Sequence, residues 1–256
     1  MLLPISDDDR ALTRRAYVTP TLVVLNILVF FVFQGMGSNV GFSNGYSVVP
    51  YELSTGTDLT VPQTIAFEGE QVQIVHAPGP TPIYLTLLTS MFMHGGFMHL
   101  AGNLLFLWIF GDNVEHRFGR RMFLGFYLLS GLAGALAQIA LAPDSLIPML
   151  GASGAISGVM GAYLMLFPRN RVHVLFFFAV LSLPAVIVLG LWIAFQVFGS
   201  IGANPNGGGV AYAAHIGGFV AGLLAGLVVR LRVKAEPPNV FTRPAQTDPY
   251  RKRRFY

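Results

Sequence analysis

Six stretches of this chain are apolar over lengths that suit a lipid bilayer, near residues 19–36, 92–111, 121–142, 153–168, 172–199 and 211–229. Crossing the hydrocarbon core takes about 20 apolar residues in a helix. Runs of this length are read as helices that cross it. With 11% charged residues, against roughly 25% for soluble domains, most of the chain does not meet water. The expected fold is an all-α membrane protein, a bundle of six transmembrane helices. The first run follows Asp7-Asp8-Asp9 and Arg14-Arg15, the wrong start for a cleavable signal peptide, and is read as an anchor within the bundle.

Charge placement orients that bundle. All 16 Lys and Arg fall before residue 16, at 117–121, at 169–171, or from Arg230 onward. The connections near 37–91, 143–152 and 200–210 carry none. Positive loops stay cytoplasmic, so both termini are expected inside and the three uncharged loops outside. The organisation expected is a cytoplasmic segment 1–18, a membrane domain 19–232 with an outer loop at 37–91, and a basic cytoplasmic tail 233–256 without fixed structure. Loops of this length are usually functional or disordered; the outer loop is read as lying on the outer leaflet, the alternative being a passive connector. The net charge of +4 sits beside spans and in the tails, which fits a lipid surface and no nucleic acid. Without cysteine, disulfides, thiolate metal sites and cysteine proteases are excluded.

Depth can be counted along the helices at 1.5 Å per residue. Ser153 lies roughly 24 Å from Arg169, and His215 roughly 22 Å from Arg230. His99 and Asn103 lie roughly 24 and 18 Å from Glu115. Four polar groups from three spans therefore share one level below the outer surface. The fourth span, Ser153 to Pro168, is short, so the loop before it must dip into the membrane, which irregular backbone does only beside protein or a water-filled cavity. Gly218, Gly222 and Gly226 on the sixth span, and Ser153, Ser157 and Gly161 on the fourth, form small faces that allow close helix approach.

These residue types suit nucleophilic catalysis. Ser153 sits between Gly151, free to take unusual backbone angles, and Gly154, which leaves its hydroxyl uncrowded; the alternative is a helix N-cap. An ionisable residue within a span is functional by default, and His215 can take the serine proton and return it to a leaving amine. His99 and Asn103 share a helix face and can donate hydrogen bonds to an oxyanion, or else serve as glue between helices. A zinc site would draw on His94, His99 and His215, but no carboxylate shares their depth and HExxH is absent. No metal or cofactor is expected. Asp112 and Glu115 lie at the far end of the second span and Asp144 at the outer end of the third, so a Ser-His dyad is simpler than a triad.

Three motifs in this order, His94-Gly-Gly-Phe-Met-His99-Leu-Ala-Gly-Asn103, Gly151-Ala-Ser153-Gly154 and Ala214-His215-Ile-Gly-Gly218, resemble the rhomboid intramembrane serine proteases. The resemblance covers about residues 84–229 and includes Glu115-His-Arg-Phe-Gly119. It implies a Ser153 nucleophile, a His215 base, and an oxyanion hole from His99, Asn103 and the Ser153 backbone N–H. His94, Gly151, Gly154 and Gly218 would support the site. It also implies single-span transmembrane substrates cut near the outer side of the bilayer, with the fifth span and the glycine-rich loop 202–209 as a gate. The location expected is a bacterial inner or plasma membrane, as a multi-pass protein. Two features depart from the family: the outer loop lacks a Trp-Arg pair, and Ser157 stands where many members place an aromatic against the histidine. A relative that binds clients without cutting them would typically lack the serine or histidine; a transporter would show inverted repeats.

Overall fold

The computed structural model describes residues 3–9, 12, 15–67, 70–203 and 209–232. The expected basic tail 233–256 and most of the loop 202–209 lie outside the described residues. The chain order is strand β1 (Leu3–Asp7), helix α1 (Val18–Leu28, running on as a π turn to Phe33), short helices α2 (Val40–Gly45) and α3 (Pro50–Thr55), and a hairpin β2 (Gln63–Phe67) with β3 (Glu70–Ile74). There follow α4 (Thr86–Thr89), α5 (Phe97–Phe118), α6 (Arg120–Leu141), α7 (Ser153–Leu166), a hairpin β4 (Arg171–Phe176) with β5 (Ala179–Pro184), α8 (Ala185–Ile201) and α9 (Tyr212–Arg232). Helices dominate. Two of them, α6 and α9, are each long and apolar enough to cross a membrane, and a third candidate is the bent pair Ile83–Phe92 with α5. Three shorter apolar helices, Val18–Phe33, α7 and α8, complete the bundle.

The fifth apolar run is the clearest departure from expectation. Residues 172–184 are not helix but most of an antiparallel hairpin, and only Ala185 onward is helical. The run Arg171-Val-His-Val-Leu-Phe alternates, burying Val172 and Val174, and β-branched residues favour that pleated surface. Pro184 precedes α8 in an extended conformation, and a proline disfavours helix in the residue before it. Strand β4 also pairs with β1, giving the sheet order β1-β4-β5. The N-terminal segment is thereby tied to the bundle. Asp7 accepts hydrogen bonds from Tyr163 Oη of α7 and from Asn113 Nδ2 of α5. Burial, helped by nearby Asp9 and Asp112, pushes the Asp7 carboxyl up to about 8, although the Tyr163 bond pulls the other way.

Helix α1 is anchored by a carboxylate from α5. Glu115, almost wholly buried, accepts the backbone N–H groups of Tyr17, Val18 and Thr19 and the Thr19 hydroxyl, at 2.8 to 2.9 Å. A helix start leaves its first N–H groups without intrahelical partners, and its partial positive charge favours an anion there. Gly119, at φ +78°, makes the turn from α5 into α6.

The centre of the bundle is α7, enclosed by α5, α6 and α9. Its contact with α9 is backbone to backbone. A Cβ on Gly218 would stand 2.0 Å from the Gly154 oxygen, and one on Gly222 would stand 1.9 Å from that of Gly158. Gly226 meets Ala162. Gly161 is also inside the contact: a Cβ there would stand 2.2 Å from the Phe219 oxygen. The α7 surface against α9 is therefore Gly154, Gly158, Gly161 and Ala162, which keeps Gly161 of the small face read from the sequence and adds the neighbouring row.

Candidate functional site

Ser153 is the first residue of α7, where backbone N–H groups lack intrahelical acceptors and the helix dipole is positive. The chain reaches this point through Gly151 at φ +136°. A side chain there would be strained, and its Cβ would press within 2.9 Å of the His99 ring. The Gly151 N–H donates to the Ser90 carbonyl at 2.9 Å. Two further bonds join Val48 and Met149, at 2.9 and 2.7 Å. The long loop 37–91 is thus hydrogen-bonded to the segment that leads into Ser153.

The structure brings Ser153 and His215 together. Ser153 Oγ lies 2.8 Å from His215 Nε2, across α7 and α9. The other ring nitrogen, Nδ1, lies 2.8 Å from Gln196 Oε1 on α8. Beside the serine is a cavity of about 40 Å³ whose lining includes Ser90, Met91, Leu150, Gly151, Ser153 and Ala214. That is enough for about one water molecule.

From α5, the His99 ring lies against Gly151. The Gly95 N–H donates to His99 Nδ1 at 3.2 Å, so the neutral ring carries its proton on Nε2, the edge against Gly151. The Asn103 amide donates to the His99 carbonyl at 2.9 Å, within its own helix, and its second N–H is left for another acceptor. These bonds stay within one segment of chain and do not join helices. His94 sits in the break between residue 92 and α5, fully buried, its ring 5.2 Å from that of His99 in a T-shaped contact. It is held through its backbone: Gln34 Oε1 accepts the His94 N–H and Gln34 Nε2 donates to the His94 carbonyl.

Two supporting glycines differ from expectation in detail. A Cβ on Gly154 would meet nothing closer than 3.6 Å, so space around the hydroxyl does not require glycine there. The constraint falls on Gly218, whose approach to the Gly154 oxygen sets the spacing of α7 and α9. Ser157 is fully buried and donates to the Ser153 carbonyl at 2.6 Å. An aromatic does lie against the histidine, but it comes from α8. The Trp192 ring is 5.9 Å from that of His215 and 6.0 Å from that of Phe219. Trp192 and Gln196 were missed by sequence reasoning, although polar Gln196 in an apolar helix, one turn from Trp192, was a visible signal.

A helical bundle with a serine and a histidine hydrogen-bonded across two apolar helices defines a narrow class of membrane protein. Residues 82–232, more than half the chain, match the family model described as Rhomboid domain. The chain belongs to the rhomboid family and is an integral membrane protein. It is similar to Rhomboid protein 1, mitochondrial, of Saccharomyces cerevisiae, 35% identical over 159 residues, which are 59% of this chain and 44% of that relative. It is similar to the Rhomboid protease GluP of Bacillus subtilis, 31% identical over 213 residues, 83% of this chain and 35% of the relative. RHOMBOID-like protein 5 of Arabidopsis thaliana is 34% identical over 147 residues, 57% of this chain and 44% of the relative. The chain spans less than half the length of these relatives.

Proposed function

We propose that this protein is an intramembrane serine endopeptidase that cuts single-span transmembrane proteins near the outer side of the bilayer. The observation that carries this reading is the 2.8 Å contact between Ser153 Oγ and His215 Nε2, since a serine needs an adjacent base to become a nucleophile. Ser153 Oγ attacks the scissile carbonyl as its proton passes to His215 Nε2. The oxyanion is met by His99 Nε2–H, the free Asn103 N–H and the Ser153 backbone N–H. His215 returns the proton to the departing amine, giving an acyl-enzyme. Water then attacks the ester carbonyl, losing a proton to His215; the ester C–O bond breaks, His215 returns that proton to Ser153 Oγ, and the new carboxyl terminus leaves. A substrate helix must unwind locally, because a hydrogen-bonded helix hides its carbonyls. The name of the GluP relative, a rhomboid protease, supports this reading.

In this reading Val18–Phe33, α5, α6, α7, α8 and α9 are six spans with both termini cytoplasmic, in a bacterial inner or plasma membrane. The arginines support that orientation: Arg120 opens α6, Arg169 follows α7, and Arg230 and Arg232 end α9. The reading is tested with a reporter transmembrane substrate in proteoliposomes. Ser153→Ala and His215→Ala should each abolish cleavage while the protein still folds and inserts. Full cleavage by either variant contradicts the proposal.

A further inference from the structure

His215 is gripped on both ring nitrogens, and one of those grips has no place in the chemistry so far. Gln196 Oε1 lies 2.8 Å from Nδ1, and Trp192, one turn earlier on α8, packs at a tilt against the ring of His215 and beside that of Phe219. The two α8 residues thus meet the imidazole from one helix, one by hydrogen bond and one by ring contact.

We propose that Gln196 is a positioning residue that fixes the tautomer of the catalytic base. The inference rests on the protease reading above. Neutral imidazole has one N–H and one lone pair, and a base must turn its lone pair toward the nucleophile. An amide oxygen can only accept, so with Oε1 toward the ring the proton sits on Nδ1. The lone pair of Nε2 then faces the Ser153 hydroxyl, which donates to it. When His215 takes the serine proton, both nitrogens become donors and both already have acceptors: Gln196 Oε1 on one side and the serine oxygen on the other. Ring rotation would break the Nδ1 bond and lift the ring off Trp192. A buried carboxylate does this work in soluble triads. An amide does it without placing a second charge in the membrane, where charge is costly.

Gln196 also earns explanation as an expensive residue. It lies on a helix whose only other polar side chain of this kind is Ser200, bonded to its own helix backbone, with Phe195, Phe198 and Ile201 strongly exposed on the described surface. Exchange for leucine preserves bulk and apolar packing, so a merely structural role predicts little change or a gain in stability. The tautomer role predicts lost turnover instead.

The test measures kcat and KM for a reporter transmembrane substrate in the full-length wild type, Gln196→Leu and Gln196→Glu, with thermal unfolding in parallel. In a soluble triad the wrong tautomer costs about 10⁴-fold. Here a smaller loss, roughly 10–100-fold in kcat, is expected for Gln196→Leu, because Trp192 still holds the ring. KM should stay within about twofold, and Gln196→Glu, which also accepts from Nδ1–H, should restore most of the turnover. Wild-type kcat in Gln196→Leu overturns the inference. So does a loss that tracks unfolding in both variants. A wild type that cannot cleave defeats the protease reading itself, a result separate from either of these.

Discussion

One added methyl group at Gly218 should separate the reacting pair. A Cβ there would stand 2.0 Å from the Gly154 oxygen and 2.9 Å from its carbonyl carbon, where ordinary contact begins at 3.4 Å. The obstacle is helix backbone, which cannot rotate away as a side chain does. Helices α7 and α9 must therefore part by about 1.4 Å at this level to restore normal contact. His215 is three residues from Gly218, on the same helix, so much of that shift reaches its ring. The 2.8 Å bond to Ser153 would stretch toward about 4 Å, past the range of a hydrogen bond. A 1 Å misplacement can cost about 100-fold in rate, and overpacking itself costs about 1–3 kcal/mol. The assay is kcat/KM on a reporter substrate, with thermal unfolding in the same detergent. Gly218→Ala should lose about 100-fold and unfold at lower temperature. Gly102→Ala, where an added Cβ meets nothing within 4 Å, is the control and should keep both. Wild-type cleavage by Gly218→Ala would refute the idea that this backbone contact sets the dyad.

Three further variants probe the oxyanion donors and the anchor of α1. Asn103→Ala should slow cleavage about 10-fold, less than the 10²–10³ seen for a single donor in a soluble protease, because three donors share the charge. His99→Ala should cost at least as much; equal wild-type rates in both would remove these residues from the oxyanion site. Glu115→Ala, which strands three backbone N–H groups and the Thr19 hydroxyl, should destabilise the bundle by about 3 kcal/mol. An unchanged unfolding midpoint would show that α1 does not depend on this carboxylate.

What could be read in advance was what repeats or stands out along one helix. Ser153, His99, Asn103 and His215 were visible as polar groups in apolar runs, and counting rise per residue put them at one level. The close approach of α7 and α9 was visible from glycine spacing, and Gly161 of the face read from the sequence lies in it. The neighbouring row Gly154-Gly158-Ala162 was not singled out, because which small residues meet depends on the partner helix. The hairpin at 171–184 was hidden because, past Arg171 and His173, residues 174–181 form an unbroken apolar run, which masks the alternation that buries Val172 and Val174. Contacts between distant segments left no periodic trace: Gln34 on the His94 backbone, the strand Leu3–Asp7 on β4, and Gln196 with Trp192 on His215. Each is fixed by how helices and strands meet, not by a pattern within either one.

The central claim is that Ser153 is a nucleophile activated by His215. It is tested most directly by treating the protein in membranes with a fluorophosphonate probe and locating the adduct by mass spectrometry. Modification at Ser153 that disappears in His215→Ala, while the variant remains folded, is the result expected. Labelling of other serines only, or labelling of Ser153 that survives unchanged without His215, would contradict the account.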